Sequence, residues 1–278
     1  MITLASTKLP TDTTARELLS ALDEARQIGS LSARDPGFGL PEAYRVTAAA
    51  RGLREARGER VIGRKIGFTN TTIWDEYDVH APIWGYVYAT TRQDLAGPGV
   101  SFDLTGLAEP RIEPEIMLHL VEAPRPDMDD LALMGCIGHV SHGFEIVQSL
   151  FADWRFSPAD TVAAFGLHGA LLTGEPSPVE PGTEAAWVEA LASFEIALSR
   201  DGQAIDTGYA ENVLCGGPLV ALRHLVELLE ADRDSPPLAA GEIVSTGTVT
   251  RAFPVEKGET WTTSLSGLAL PGATVTFS

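Results

Sequence analysis

The chain has 278 residues, 44% of them apolar and 21% charged, and a formal net charge of −18. That length supports a sizeable core, either in one mixed domain or in a small domain joined to a larger one. So acidic a chain excludes nucleic acid as a partner, because a phosphate backbone demands positive charge, and no run approaches the roughly 18 apolar residues of a membrane span.

The opening MITLASTKLPTDTTARELL has no basic segment followed by an apolar stretch, so no secretory signal is expected and a cytoplasmic location is the default. TDTTARELLSALDEARQ (11–27) predicts an amphipathic helix with Leu18, Leu22 and Ala25 along one face. After the turn RDPGFGLP, a second helix is expected over 41–57, broken by Gly58. VIGRKIGFTN, from residue 61, reads as a short strand between glycines. TTIWDEYDVH reads as helix or turn, and PIWGYVYATT follows. GPGVSFDL turns the chain into an acidic strand over 111–121. DMDDLALMGCI predicts a helix with Asp127, Asp129 and Asp130 near its positive end. HGFEIVQSLF predicts another short strand, and WVEALASFEIALSRDGQAIDTG alternates like a strand up to the turn pair Asp201-Gly202. GGPLVALRHLVELLEADR (216–233) is the clearest helix, and DRDSPPLAAG (232–241) is an exposed loop. The tail consists of short β-branched runs between glycines and charged turns. That texture favours a twisted antiparallel or barrel-like β domain over a doubly wound parallel sheet. The expected division is a helical portion over 1–60 and a mixed β core over 61–278, packed as one unit.

The stretch EPRIEPEIMLHL (109–120) carries the chemistry. In a strand, positions 113, 115, 117 and 119 share a face, so Glu113 and Glu115 project together. Two carboxylates buried side by side force one to keep a proton unless a cation sits between them. A divalent ion resolves both problems, and all-oxygen ligands point to Mg²⁺ or Mn²⁺ rather than zinc. Glu145, alone in the apolar GFEIVQS, wants a partner and is the third candidate ligand. The bland alternative is a solvated strand edge, or a salt bridge to Arg111.

Lysine is scarce, with only Lys8, Lys65 and Lys257, which makes Lys65 in GRKIGFTN informative. Glycines there let a substrate carboxylate approach the backbone, while Lys65 supplies positive charge or transfers a proton. Otherwise it is a surface lysine beside Arg64. Ser245, Thr246, Gly247 and Thr248 stand at a strand end, where hydroxyls and amides could hold a carboxylate or keto oxygen; such turns are also commonly structural. No P-loop, HExxH pair or G-x-S-x-G elbow is present, and Cys136 and Cys215 read as two buried thiols in a reducing compartment.

Together GRKIG, EPEI, FEIVQS and LAAGEIVSTGTVTRAFPVEKGETW resemble the 2-keto-4-pentenoate hydratase and 4-oxalocrotonate decarboxylase family of the fumarylacetoacetate hydrolase superfamily, over most of the chain. The resemblance implies a mixed α+β fold, a fumarylacetoacetate-hydrolase-like β-roll core with an N-terminal helical portion, binding Mg²⁺ or Mn²⁺ and forming homo-oligomers. It implies Glu113, Glu115 and Glu145 as metal ligands and Lys65 as the active-site lysine. Arg64, Gly67, Thr69, Gln148, Ser245, Thr246 and Gly247 are expected around the substrate. Two stretches depart from the family pattern. Where QPDFG is common, with its aspartate proposed to move protons, this chain has APIWG, with Ile83 at that position. Where DTIADNAS is usual it has DTVAAFGL, with Ala164 and Phe165 replacing an Asp-Asn pair. The nearby groups able to move a proton instead are His80, Asp78, Glu76 and His168.

The expected activity is addition of water to a 2-hydroxypenta-2,4-dienoate or 2-oxopent-4-enoate-type substrate, giving a 4-hydroxy-2-oxo acid. Alternatives are decarboxylation of a 4-oxalocrotonate-like diacid, with Arg64 or Arg251 at the far carboxylate, and C–C hydrolysis of an acylpyruvate. A non-enzymatic alternative is an oxo-acid-binding scaffold subunit.

Overall fold

Three helices lead the chain: α1 (Thr11–Asp23), α2 (Leu31–Arg34) and α3 (Leu40–Ala56). The computed structural model describes residues 8–95, 97 and 99–278, so the first seven residues of the helical portion, and with them part of the opening stretch, lie outside the described residues. α1 buries Ala15, Leu18, Leu19 and Ala21, a helical spacing that makes one apolar face. α3 has a proline in its first turn and ends before Gly58, whose φ of 93° favours glycine. Ala43, Val46 and Ala50 of α3 join Leu18 and Leu31 in a cluster with Leu150, Phe151, Val162 and Ala163. The helical portion is therefore welded to the middle of the chain, and truncating a member such as Leu18 to alanine costs about 2–5 kcal/mol.

Strands β1 (Val61–Gly67), β2 (Ile83–Tyr88), β3 (Arg92–Asp94) and β4 (Ser101–Phe102) follow, with the short helix α4 (Trp74–Tyr77) between the first two. Next come β5 (Arg111–Leu120), α5 (Asp130–Gly135) and β6 (Ile137–Val147). Helix α6 (Pro158–Ala163), strand β7 (His168–Thr173) and the two-residue β8 (Ser177–Pro178) complete the middle. The last third holds α7 (Glu184–Ser193), β9 (Glu195–Arg200), β10 (Gln203–Tyr209), α8 (Pro218–Ala231), β11 (Ile243–Ser245), β12 (Phe253–Pro254), β13 (Thr260–Ser266) and β14 (Thr274–Phe277). One sheet runs β2-β1-β11-β5-β6-β7-β3, mainly antiparallel, with parallel pairs β1·β11 and β3·β7. A second runs β10-β9-β13-β14-β4.

The first sheet is curled. Its two edges, β2 and β3, are joined only by Ala89–Thr91, and so few residues hold them within about 15 Å of each other. Val87, Met117, Leu171 and Ile243, from β2, β5, β7 and β11, form a small cluster of their own inside the curl. This is the mixed α+β, β-roll architecture expected from the resemblance.

Three local expectations change. WVEALAS is helical, because EAAWVEALAS (α7) is rich in strong helix formers and only FEIALSR after it alternates as a strand. The strand expected around HGFEIV extends back to Ile137, since it pairs with nearly the whole length of β5. Of the two thiols expected to be buried, Cys136 is, whereas Cys215, in the turn before α8, is exposed.

Candidate metal centre

The antiparallel register of β5 and β6 sets Glu113 opposite Glu145 and Glu115 opposite Gly143. Side-chain alternation puts all three glutamates on the inner face of the curl. One carboxylate oxygen from each lies within 4.8 Å of the others. Glu115 and Glu145 are buried and Glu113 is half-buried.

Each buried carboxylate is held by one of its oxygens. Glu115 Oε2 accepts from Ser245 Oγ at 2.5 Å and from the Gly247 amide at 3.0 Å. Gly247 has a φ of 90°, and a Cβ there would lie 1.9 Å from Thr69 Oγ1, so no other residue fits that turn. Glu145 Oε1 accepts from His168 Nδ1 at 2.8 Å. Its Oε2 lies 3.2 Å from Lys65 Nζ, which also donates to the Gly166 carbonyl at 2.9 Å. Glu115 Oε1 and Glu145 Oε2 are buried without a hydrogen-bond partner, and buried acceptors of that kind are rare unless something else binds them.

The electrostatics point the same way. For Glu145 burial opposes ionisation, but Lys65 and His168 outweigh it and hold the carboxyl below its ordinary range. Burial pushes Glu113 up to about 7, with Lys65 pulling it down and Glu145 pushing it up. Burial, then the charges of Glu145 and Glu113, drives Glu115 well above the usual range. Burial works against the Lys65 ammonium, yet the three glutamates keep its pKa raised. Three carboxylates beside one ammonium leave two negative charges uncompensated, the charge of one divalent cation. The donor set is all oxygen, and Glu115 Oε1 is buried with no partner at all, so the residues fit Mg²⁺ or Mn²⁺.

His168 is joined to the cluster from behind. A carboxylate only accepts, so Nδ1 carries the proton and Nε2 accepts from Thr91 Oγ1 at 2.8 Å. Burial keeps its pKa below that of free histidine, leaving the imidazole neutral.

Gly67 lines the cavity beside Lys65. Thr69 and Thr246 are buried and tie the Gly247 turn together, Thr69 Oγ1 donating to the Thr246 carbonyl and Thr246 Oγ1 to that of Ile116. Four other candidates stand elsewhere. Arg64, one residue from Lys65 in β1, projects from the opposite face by strand alternation; it pairs with Glu242 at 3.3 Å and lies over the Tyr86 ring. Gln148 braces the Ala108 amide on the far side of β6 rather than lining the cavity. His80 is exposed on the surface beside Asp78. Arg251, exposed, is paired with Glu76. Ile83 is buried in the helical cluster. Arg111 forms no salt bridge with Glu113; it donates to Tyr77 Oη at 2.8 Å and covers the Trp154 ring.

Glu113 and Lys65 line a small cavity walled by Phe68, Tyr77, Val147, Trp154, Leu167 and Ala252. Sequence reasoning missed these walls, because they come from four separate loops and strand ends. It also missed the Gly166 carbonyl. Phe165, Gly166 and Leu167 all have φ near +62°, a left-handed run that no single-residue signal announces. Gly85 admits it, since a Cβ there would lie 2.7 Å from the Phe165 carbonyl oxygen.

A curled mixed sheet with a buried carboxylate triad and a lysine defines an enzyme of the fumarylacetoacetate hydrolase fold. No protein-family model matches the chain. It is 30% identical over 260 residues to 2-hydroxyhexa-2,4-dienoate hydratase of Comamonas testosteroni, covering 92% of this chain and 94% of that one. It is 28% identical to 2-keto-4-pentenoate hydratase of Burkholderia vietnamiensis, over 94% and 96% of the two chains. The structure of 4-oxalocrotonate decarboxylase from Pseudomonas putida G7, complexed with magnesium and adipate, superposes with a TM-score of 0.86 at 24% identity, over 98% of this chain and 99% of that one. The chain belongs to the 2-keto-4-pentenoate hydratase and 4-oxalocrotonate decarboxylase family. With that, the non-enzymatic scaffold gives way to an enzyme.

Proposed function

We propose that the protein is a divalent-metal-dependent hydro-lyase that adds water to a 2-hydroxypenta-2,4-dienoate-type substrate, through its 2-oxo tautomer, to give a 4-hydroxy-2-oxo acid. The observation that carries this reading is the triad Glu113, Glu115 and Glu145, where Lys65 and Glu113 line a small cavity. In it Glu115 Oε1 is buried without a partner and Glu145 Oε2 is met only by the Lys65 ammonium. Glu113, Glu115 and Glu145 would hold Mg²⁺ or Mn²⁺. When bound, the ion supplies a Lewis acid that polarises the carbonyl of a 2-oxo acid and favours its enolate.

The chain's own residues do the rest. Ser245 and the Gly247 amide fix Glu115, and His168 fixes Glu145, so neither carboxylate rotates away. Lys65 spends one donor on Gly166 and turns another toward Glu145. Its remaining N–H serves the cavity, where it can attract the substrate carboxylate against the acidic bulk charge and relay a proton. The apolar wall excludes bulk water and suits a short uncharged tail.

Hydration is favoured over decarboxylation of a diacid because Lys65 is the one cation lining the cavity among the described residues. Arg64 and Arg251 are paired outside it, and Arg111 at the mouth is bound to Tyr77. The test is NMR of products from the dienoate and from an oxalocrotonate-type diacid with Mg²⁺. A 4-hydroxy-2-oxo acid from the first is the expected result; carbon dioxide from the second without any hydrated product overturns it. The same reading takes the enzyme as cytoplasmic, with its two thiols unpaired, and as a homo-oligomer, which sedimentation would read.

A further inference from the structure

Tyr77 stands where an acid is wanted. Ile83 occupies the position expected to carry a proton-moving aspartate, and it is buried among apolar side chains. Of the groups in the same segment, His80 and Asp78 are exposed and Glu76 is paired with Arg251, none of them lining the cavity. Tyr77 does line it, together with Lys65 and Glu113. Tyr77 and Trp154 also belong to an outer groove containing Arg111 and Phe156, so they form the partition between the cavity and its mouth. A substrate whose 2-oxo acid end is drawn to Lys65, and to an ion the carboxylates would hold, extends its tail toward that partition.

The phenol is held in place from three sides. Its ring stacks on Phe156 at 6.3 Å between centroids, with an interplanar angle of 7°, and meets the edge of Phe68. Its oxygen accepts from Arg111 Nη1 at 2.8 Å, and among the described residues that is its one hydrogen bond. The phenolic proton is therefore committed to no protein acceptor. Arg111 has no carboxylate within ion-pair distance among the described residues, and lies 4.1 Å over the Trp154 ring. A guanidinium in that place favours a phenolate more than a phenol, because a hydrogen bond to a charged acceptor is the stronger one. Burial outweighs it and keeps the phenol's pKa above its ordinary value, so the group carries its proton at rest.

We propose that Tyr77 is the acid that protonates the tail of the substrate, with Arg111 as its positioning residue. The assignment rests on the hydratase reading. In the ketonisation step the electron pair of the C4–C5 double bond takes the proton of Tyr77 Oη to form a C–H bond at C5, and the pair of the C2–C3 double bond moves to form the C3–C4 double bond. The enol O–H proton passes to water as the C2 carbonyl forms. No oxidant or reductant enters. The Tyr77 phenolate left behind, stabilised by Arg111, regains its proton from solvent at the mouth. Water then adds at C4 of the enone, its proton balance closing at C3.

The experiment compares wild type, Tyr77→Phe and Arg111→Gln with Mn²⁺ in D₂O, following turnover of 2-hydroxypenta-2,4-dienoate and deuterium at C5 by NMR. Oxalate binding by calorimetry and Mn²⁺ content are measured on the same samples. Tyr77→Phe is expected to lower kcat by about 10²–10⁴-fold and to lose enzyme-catalysed C5 labelling, with oxalate affinity and Mn²⁺ content unchanged. Arg111→Gln, which keeps the phenol, is expected to lose about tenfold in kcat with KM little altered. A Tyr77→Phe enzyme with wild-type kcat, or one impaired only through KM and oxalate binding, overturns the assignment while leaving the hydratase reading intact. A wild type inert toward the dienoate overturns the reading and the assignment with it.

Discussion

His168 donates through Nδ1 to Glu145 Oε1 across 2.8 Å, and that buried bond sets which way the carboxylate faces. Thr91 on the other ring nitrogen locks the tautomer. Outer partners of metal ligands typically contribute 10–100-fold to affinity. His168→Ala is therefore expected to weaken Mn²⁺ binding by about 10–100-fold in calorimetry, with His168→Gln in between. Equal affinity in the alanine variant would remove the histidine from the centre.

The triad itself makes a sharper prediction. An ion held at a hundred times its Kd stabilises the fold by about 2.7 kcal/mol. For a chain of this size that is a Tm rise of roughly 5 °C. Saturating Mn²⁺ should produce such a rise in wild type, EDTA should reverse it, and Glu115→Gln should abolish both the rise and turnover. A full shift in the glutamine variant would mean the ion binds elsewhere.

Arg64 and Lys65 are neighbours in sequence and face opposite sides of β1. Arg64→Met, which removes the contact with Glu242 and the packing on Tyr86, is expected to cost about 1–3 kcal/mol in urea denaturation. Its kcat and KM should stay at wild-type values. A large KM increase would show that the side chain reaches substrate after all.

Acid sensitivity has an identifiable contributor in Glu59. Burial opposes its charge, but hydrogen bonds from Arg54, Thr90 and Arg57 hold the carboxyl at about 2, below the ordinary 4.5. The unfolded chain takes up this proton first as pH falls. The stabilisation is thus complete above about pH 4.5 and lost progressively toward pH 2. Glu59→Gln should cost about 2 kcal/mol at neutral pH and narrow its gap from wild type across that window, read from urea midpoints. A gap independent of pH would assign the residue a packing role only.

The sequence was most readable where a period or a chemical conflict was local. Glu113 and Glu115, two apart in a strand, call for a cation once that face is buried, and α8 declares itself by period. Glu145 was legible as an isolated acid, though its place opposite Glu113 is a matter of strand register that no local pattern encodes. Arg64 and Gln148 were misplaced because a motif tells which residues travel together and not which face each one takes. Tyr77 and Trp154 were invisible, since an aromatic in a short turn of helix looks the same whether it covers a cavity or a surface. α7 shows the limit of alternation as a signal where alanine and leucine also supply strong helix propensity.

The link Ala89–Thr91 closes the curl of the large sheet, and Thr91 is also the residue that holds His168. Breathing of that seam is therefore expected to loosen Glu145 and with it the carboxylate cluster. Amides flanking residues 88–94 should exchange with deuterium more slowly once Mn²⁺ is added, although none of them belongs to the triad.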